Sequence, residues 1–203
     1  MIDATRTTSA LLDALHDAGN REAWSEFDGR YRPILINLGR RAGLSDVDSA
    51  DAAQDTLADF FKSYRDKRYD RARGRLRQWL IGIARLKIAD VRRARAKGAA
   101  QPADGAEGGT LSEAADEPAW HTAWDQEQRA AILRQALDQL RASDKLHETT
   151  LAAFELVAIR GVPAAEAASA LNLSTQEVYL AKSRCMERIR TLIQRLESAF
   201  DQD

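Results

Sequence analysis

The sequence predicts an all-α fold of two small helical domains joined by a flexible linker, and three observations lead to it. Apolar residues recur at helical spacing through most of the 203 residues, and no stretch alternates apolar and polar residues as a half-buried strand does. Only four prolines and eleven glycines interrupt the chain. The segment 98–120 differs in composition from both flanks, so we expect domains over 1–97 and 121–203.

The composition excludes several classes of protein. Hydrophobic residues make up 44% of the chain and charged residues 30%, which is ordinary for a soluble globular protein. No apolar run approaches the roughly 20 residues that span a bilayer, and the first residues are polar, unlike a signal peptide. Cys185 is the single cysteine, which excludes an internal disulfide. We therefore expect a protein of the reducing cytoplasm, without membrane insertion.

The first domain begins with two predicted helices, over 8–15 and 21–41. The apolar face of the second consists of Trp24, Phe27, Tyr31, Ile34, Leu35 and Leu38. Pro33 is expected to kink this helix, and Gly43 to end it.

Ser45 is the predicted N-cap of a third helix, which extends to Tyr64. Its expected apolar face consists of Val47, Ala50, Ala53, Leu57, Phe60, Phe61 and Tyr64. Its polar side is acidic and consists of Asp48, Asp51, Gln54, Asp55 and Asp59. Such a stripe binds a partner or is simply a solvated surface.

The next segment, from Lys62 to Lys97, is strongly basic in a chain whose formal net charge is only −1. Fourteen lysines and arginines stand there against three aspartates. An apolar stripe runs through its second half, at Leu76, Trp79, Leu80, Ile83 and Val91. A basic face with adjacent aromatic rings suits a phosphate backbone and an unpaired base. The alternative is a solvated surface helix.

The segment 98–118 has no lysine or arginine, five carboxylates and much glycine and alanine. Because it cannot bury enough apolar surface to order itself, we interpret it as a linker. Helices over 124–140 and 149–160 are predicted to follow it.

The last part of the chain, 162–196, has the pattern of a helix-turn-helix. A short helix over 164–171 follows Pro163, and Ser174 with Glu177 forms a capping box that opens the next helix. The buried face of that helix is predicted to carry Val178, Cys185, Ile189 and Leu192. Polar side chains at its N-terminal turn with nearby cations suit reading of a major groove. The alternative is an ordinary scaffolding helix pair.

Three motifs, in this order, resemble those of bacterial RNA polymerase sigma factors of the extracytoplasmic-function (ECF) type. SDVDSADAAQDTLADFF at 45–61 is similar to the family's acidic D-x-x-Q-[DE] core-binding helix. RYDRARGRLRQWLIGIARLKIADVRR at 68–93 is similar to its promoter-melting segment. RGVPAAEAASALNLSTQEVYLAKSRCMERIR at 160–190 is similar to its C-terminal helix-turn-helix. The resemblance covers nearly the entire chain.

The resemblance implies three binding surfaces. The surface for core RNA polymerase would consist of Asp51, Gln54 and Asp55. The surface for the minus-ten promoter element, held as single strand, would consist of Arg71, Arg73, Arg75, Arg77, Trp79, Lys87, Arg92 and Arg93. The surface for the minus-thirty-five element would consist of Thr175, Gln176, Tyr179, Lys182, Ser183, Arg184 and Arg188.

The resemblance also implies what the other parts of the chain do. The linker would run through the polymerase near the path of nascent RNA. We expect no sensor extension after the last helix. We therefore expect control through expression, modification or a separate regulator such as an inhibitory anti-sigma protein.

No catalytic constellation is recognisable in the sequence. His16, His121 and His147 have no metal-ligand spacing, and no glycine-rich loop suits a phosphate. Cys185 falls on a buried helix face, where it packs. We expect a protein that is not an enzyme and uses no metal or cofactor. Two alternatives remain open, a stand-alone helix-turn-helix regulator and a helical adaptor or membrane-surface protein.

Overall fold

The computed structural model describes residues 8–17, 19–69, 74–98, 111, 117–144 and 146–200. All regular secondary structure in these ranges is helical, which confirms the all-α class. The helices are α1 (Thr8–Ala14), α2 (Arg21–Arg41), α3 (Asp46–Arg65), α4 (Leu76–Gly98), α5 (Glu117–Arg141), α6 (Glu148–Phe154), α7 (Ala164–Leu171) and α8 (Thr175–Phe200). Among these described helices, none is long and apolar enough to cross a membrane.

The chain divides into two compact units. Unit 1 consists of Met1–Ala131 and Ala199–Asp203, and unit 2 of Ile132–Ser198. The first half of α5 therefore belongs to unit 1, although the sequence places the second domain from residue 121 onward. Within the predicted linker, 98–120, only residues 98, 111 and 117–120 are described, so the linker stays a prediction.

Unit 1 is built on α2, α3 and α4, with α3 packed against both of the others. Phe27 and Phe60 stack at its centre, with ring centroids 4.9 Å apart and planes 2° from parallel. The fully buried side chains include Phe27, Ile34, Leu38, Leu57, Phe60, Leu76 and Leu80. Gly39 allows α2 and α3 to approach closely, because a Cβ there would lie 2.9 Å from Ser49 Oγ.

The predicted signals at the ends of α2 and α3 are largely observed. α2 continues through Pro33 and ends at Arg41, just before Gly43 with its positive φ of 81°. Ser45 caps α3 by accepting a hydrogen bond from the Asp48 N–H at 3.2 Å. Val47, expected on the apolar face, is instead 70% exposed. At about 100° per residue it lies roughly 120° around the helix from the buried Ala53.

Unit 2 contains the second half of α5, then α6, α7 and most of α8. The predicted helix over 149–160 is α6 followed by a π-helical turn at Glu155–Ile159. One core cluster is made of small residues that let the helices approach closely: Ala153, Ala167, Ala168, Val178 and Ala181. A second contains Leu140, Phe154, Cys185 and Ile189. The predicted burial of Val178, Cys185 and Ile189 is confirmed.

The turn between α7 and α8 follows the local chemistry of its sequence. Asn172 ends α7 in the left-handed conformation, at φ 53° and ψ 45°, which asparagine tolerates better than most residues. Ser174 Oγ then accepts a hydrogen bond from the Glu177 N–H at 3.2 Å. Glu177 Oε2 accepts one from the Ser174 N–H at 2.7 Å. This is the predicted capping box.

Candidate nucleic-acid interface

The acidic stripe of α3 presents its three central polar residues to solvent. Asp51, Gln54 and Asp55 are all exposed and follow one another around successive turns. The flanking carboxylates are different, because Asp48 pairs with Arg95, and Asp59 with Lys87 at 2.6 Å. Within the described part of the chain, Asp51 and Asp55 have no ion-pair partner. They are therefore the carboxylates of this stripe best placed to meet a cationic surface.

The basic helix α4 is more neutralised than its sequence suggests. Arg77 forms an ion pair with Asp125 of α5, and Arg93 with Asp90 at 2.6 Å. A hydrogen bond to Asp59 raises the pKa of Lys87 above its ordinary value, against a smaller opposing effect of burial. Several cations predicted to contact DNA thus already have carboxylate partners in unit 1.

Arg92 is held differently, by backbone carbonyl groups. Its guanidinium donates hydrogen bonds to the carbonyl oxygens of Ala42 and, at 2.9 Å, of Leu111. Leu111 is buried although it belongs to the predicted linker, and its N–H donates to the Arg41 carbonyl at 3.0 Å. Arg92 therefore helps to organise unit 1. Arg71 and Arg73 lie outside the described residues.

A groove of about 650 Å³ runs along α4, entirely within unit 1. Its apolar walls include Trp79, Ile83, Leu86 and Trp120, and its cations are Arg75, Arg85 and Arg92. Arg75 is exposed at the start of α4, and Trp79 is half-buried. An aromatic ring beside guanidinium groups in a concave site can stack a planar ring and hold an anionic group attached to it. The groove thus brings together Arg75, Trp79 and Arg92 of the predicted minus-ten residues.

Two residues of this groove, Arg85 and Trp120, are not among the predicted minus-ten residues. The Arg85 guanidinium lies over the Trp120 ring, with Cζ 5.7 Å from the ring centroid. Trp120 is only 3% exposed, and its indole N–H has no hydrogen-bond partner among the described residues. The available signal in the sequence was a pair of tryptophans one helical turn apart, Trp120 and Trp124, at the end of the predicted linker.

Trp120 is fixed in unit 1 by an anchor farther along α5. Glu127 is 7% exposed and accepts hydrogen bonds from Arg41 Nε at 2.5 Å and from Asn37 Nδ2 at 2.7 Å. A buried carboxylate held by two donors from α2 fixes the first half of α5 in place. The groove therefore has a rigid second wall.

The N-terminal part of α8 presents a polar face. Thr175, Gln176, Tyr179 and Ser183 are exposed, with Tyr179 at 58%, while Lys182 is half-buried. At about 100° per residue, these side chains all lie within roughly 60° of Tyr179 around the helix. They form one continuous face of a capped helix, which is suited to a groove of duplex DNA.

Arg184 and Arg188 lie on a different face of α8. They are about 140° and 180° around the helix from Tyr179. Together with Thr191, Arg195 and Leu146 they line a separate cleft of about 510 Å³ in unit 2. The predicted minus-thirty-five residues are therefore not all brought together.

The described residues contain no group of three or more histidine, cysteine, aspartate or glutamate side chains that could hold a metal ion. Cys185 is fully buried, and burial raises the pKa of its thiol above the ordinary value. A raised pKa disfavours the nucleophilic thiolate, so this thiol fits a packing role.

No family model and no curated protein matches the chain. The chain is similar to the solved structure titled "Structure of CnrH in complex with the cytosolic domain of CnrY". The identity is 22%, the match covers 95% of this chain and 98% of that chain, and the TM-score is 0.36.

Proposed function

We propose that this chain is an ECF-type sigma factor, which binds core RNA polymerase, recognises promoter DNA and promotes strand opening without chemistry of its own. The observation that carries the proposal is the groove on the basic helix α4, which is lined by Trp79, Arg75 and Arg85. Extruding a base from a duplex costs a few kcal/mol, which stacking and charge contacts in such a groove offset. Strand opening needs a site of this kind.

Two further surfaces support the proposal. The exposed carboxylates Asp51 and Asp55, beside Gln54, offer core polymerase an acidic stripe on α3. The capped N-terminus of α8 offers duplex DNA the exposed side chains of Thr175, Gln176 and Tyr179. Promoter recognition requires three surfaces on one chain: one that binds duplex DNA, one that binds single-stranded DNA and one that docks on the polymerase. The three motifs that resemble those of ECF sigma factors also follow one another along this chain in the order that the family has.

The alternatives account for less of the molecule. A stand-alone helix-turn-helix regulator would use α8 but would leave the groove of α4 without a role. A membrane-surface protein would need the apolar residues of α4 to face lipid, yet Leu76 and Leu80 are fully buried in unit 1. A helical adaptor would leave the basic charge beside Trp79 unexplained.

The proposal is tested with purified chain and purified core polymerase. We expect the chain to co-purify with the core enzyme and to direct transcription from specific genomic fragments. A control reaction contains core enzyme alone. Sequence-specific duplex binding that needs no polymerase, without transcription, would instead identify a stand-alone regulator. No binding to either polymerase or DNA would favour the adaptor.

A further inference from the structure

Arg85 differs from the neighbouring cations of α4 in what its guanidinium contacts. Arg77 and Lys87 are paired with Asp125 and Asp59. In the part of the chain that the structure describes, Arg85 has no carboxylate at ion-pair distance, and its guanidinium lies over the Trp120 ring. No nearby carboxylate therefore offsets the charge of Arg85 where it lines the groove.

The Trp120 ring lies against the Arg85 guanidinium at cation–π distance, with Cζ 5.7 Å from the ring centroid. Arginine is planar and stacks on aromatic faces, which lowers the freedom of its long side chain. The indole beneath it is almost fully buried, and Glu127 anchors the same helix to α2. The guanidinium thus has a well-anchored aromatic ring on one side.

The groove that Arg85 lines has room for a ring. Its volume of about 650 Å³ lies within the roughly 300–1,000 Å³ of pockets that take small organic ligands. Gly82 lines it and is exposed, and a Cβ there would meet no atom within 4 Å. Trp79 lines the same groove, and the exposed Arg75 lies at its edge. Unpaired bases stack both on arginine planes and on tryptophan rings.

We propose that Arg85, supported by Trp120, stacks an unpaired nucleobase that enters this groove beside Trp79. Arg85 contacts the base, Trp120 is a positioning residue that holds Arg85, and Arg75 meets the phosphate of the same nucleotide. The inference rests on the proposed function, because the base comes from the opened promoter strand. It extends the strand-binding site into α5, beyond the segment of the basic helix.

The test uses the full chain, alone and with core polymerase, and two short single-stranded DNA oligonucleotides. One carries 2-aminopurine, whose fluorescence falls when it stacks, and the other has an abasic site at the same position. Wild-type chain should quench the 2-aminopurine and bind the intact strand about tenfold more tightly than the abasic strand. This preference isolates base stacking from phosphate binding.

Variants at Arg85 and Trp120 distinguish the contribution of the planar guanidinium group to DNA binding from the contribution of its charge. Arg85→Lys keeps the charge and so the salt dependence, but should lose the quenching and most of the preference for the intact strand. Trp120→Ala should behave like Arg85→Lys, and Trp120→Phe should retain most of the preference. Arg129→Lys, at an exposed arginine of α5, is the matched control and should equal wild type.

Gly82 gives a steric test that does not depend on a buried residue. Gly82→Leu should fill the groove and abolish the preference, whereas Gly82→Ala should preserve it, since alanine favours helix and adds only one carbon. Normal preference in both Arg85→Lys and Gly82→Leu would overturn the inference, even if the chain directs transcription. Failure of wild-type chain to bind single strands and to direct transcription would overturn the proposed function as well.

Discussion

Glu177 shows how one side chain defines the start of α8. Its carboxylate accepts hydrogen bonds at 2.7 Å from both the backbone N–H and the hydroxyl of Ser174. These bonds favour the charged form and hold the pKa of Glu177 below its ordinary value of 4.5, with the backbone bond as the larger cause. The capping box gives the backbone N–H groups of Ser174 and Glu177 hydrogen-bond acceptors, and so it defines the position of the first turn through which α8 would dock.

We predict that the capping box weakens in acid. Because the folded pKa of Glu177 is lowered, its contribution to stability is complete above the ordinary pKa and is lost as pH falls through the folded pKa. An NMR titration of the Glu177 carboxyl should give a midpoint below 4.5 in the wild type. Ser174→Ala should move the midpoint up towards that value. Identical midpoints in the two proteins would contradict the assignment.

Asp51 and Asp55 are predicted to bind core polymerase without supporting the fold. Asp51→Arg and Asp55→Arg place a cation where a cationic partner is proposed, and like charges brought together cost several kcal/mol. Association with core polymerase should therefore weaken by about tenfold or more, with the circular dichroism spectrum unchanged. Asp13→Arg, at an exposed position of α1, is the matched control. Unchanged co-purification of both variants would remove α3 from the docking surface.

The cations of α4 show where residue-level prediction stops. The sequence identifies Arg77 and Lys87 as basic residues beside Trp79, which the structure places on α4 as expected. It does not identify Asp125 as the partner of Arg77, because the two residues are 48 positions apart in the chain. The contact of Arg85 is not visible in the sequence for the same reason, since it is made with Trp120 of another helix. Ion pairs and stacking between distant residues follow from packing.

At the scale of the helix, α5 is longer than predicted and begins at Glu117. Its apolar periodicity indicates a helix over 124–140, but the first two turns carry one charged residue, Glu117, and a proline beside two tryptophans. Glu127 anchors this half of the helix by its bonds to Arg41 and Asn37. Tertiary contacts thus extend an element that local periodicity leaves short.

Removal of the Glu127 carboxylate should destabilise unit 1. Glu127→Ala leaves Arg41 Nε and Asn37 Nδ2 without their acceptor, and we expect a loss of about 1–3 kcal/mol of unfolding free energy. Urea unfolding followed by tryptophan fluorescence measures this loss. Asp138→Ala, which breaks an exposed pair with Arg141, should cost less than about 1 kcal/mol. Equal losses in the two variants would contradict an anchoring role for Glu127.

Two faces of α8 have different predicted roles. Gln176→Ala should change the sequence preference for duplex DNA by ~1–3 kcal/mol at one base pair, as loss of a base contact does. Lys182→Ala should weaken binding to all sequences. It should also reduce by about one the slope of the logarithm of the binding constant against the logarithm of the salt concentration. Arg188→Ala should change that slope less than Lys182→Ala, because Arg188 lies about 180° from Tyr179. Titrations at several salt concentrations measure both quantities, and an equal effect at Lys182 and Arg188 would assign both faces to one duplex.

For the whole molecule, we predict that proteolysis cuts the chain within 98–118. The segment has five carboxylates but no lysine or arginine, so an Asp/Glu-specific protease is the suitable probe and trypsin is not. Cleavage should begin at Asp104 or Glu107 and produce two fragments that resist further digestion. Mass spectrometry identifies the cut sites. Preferential cleavage inside α3 would contradict the linker assignment.

The sequence by itself determined the all-α class, most helix bounds, the capping residues Ser45 and Ser174, and the exposure of the acidic stripe and of the polar face of α8. These features depend on residues a few positions apart, which hydrogen-bond or share a face within one helix. Tertiary structure alone decided which cations are neutralised, that Leu111 is buried, and that Trp120 supports Arg85 in a groove with Trp79. Those features join residues far apart in the chain, and only packing of α4 and α5 within unit 1 brings them together.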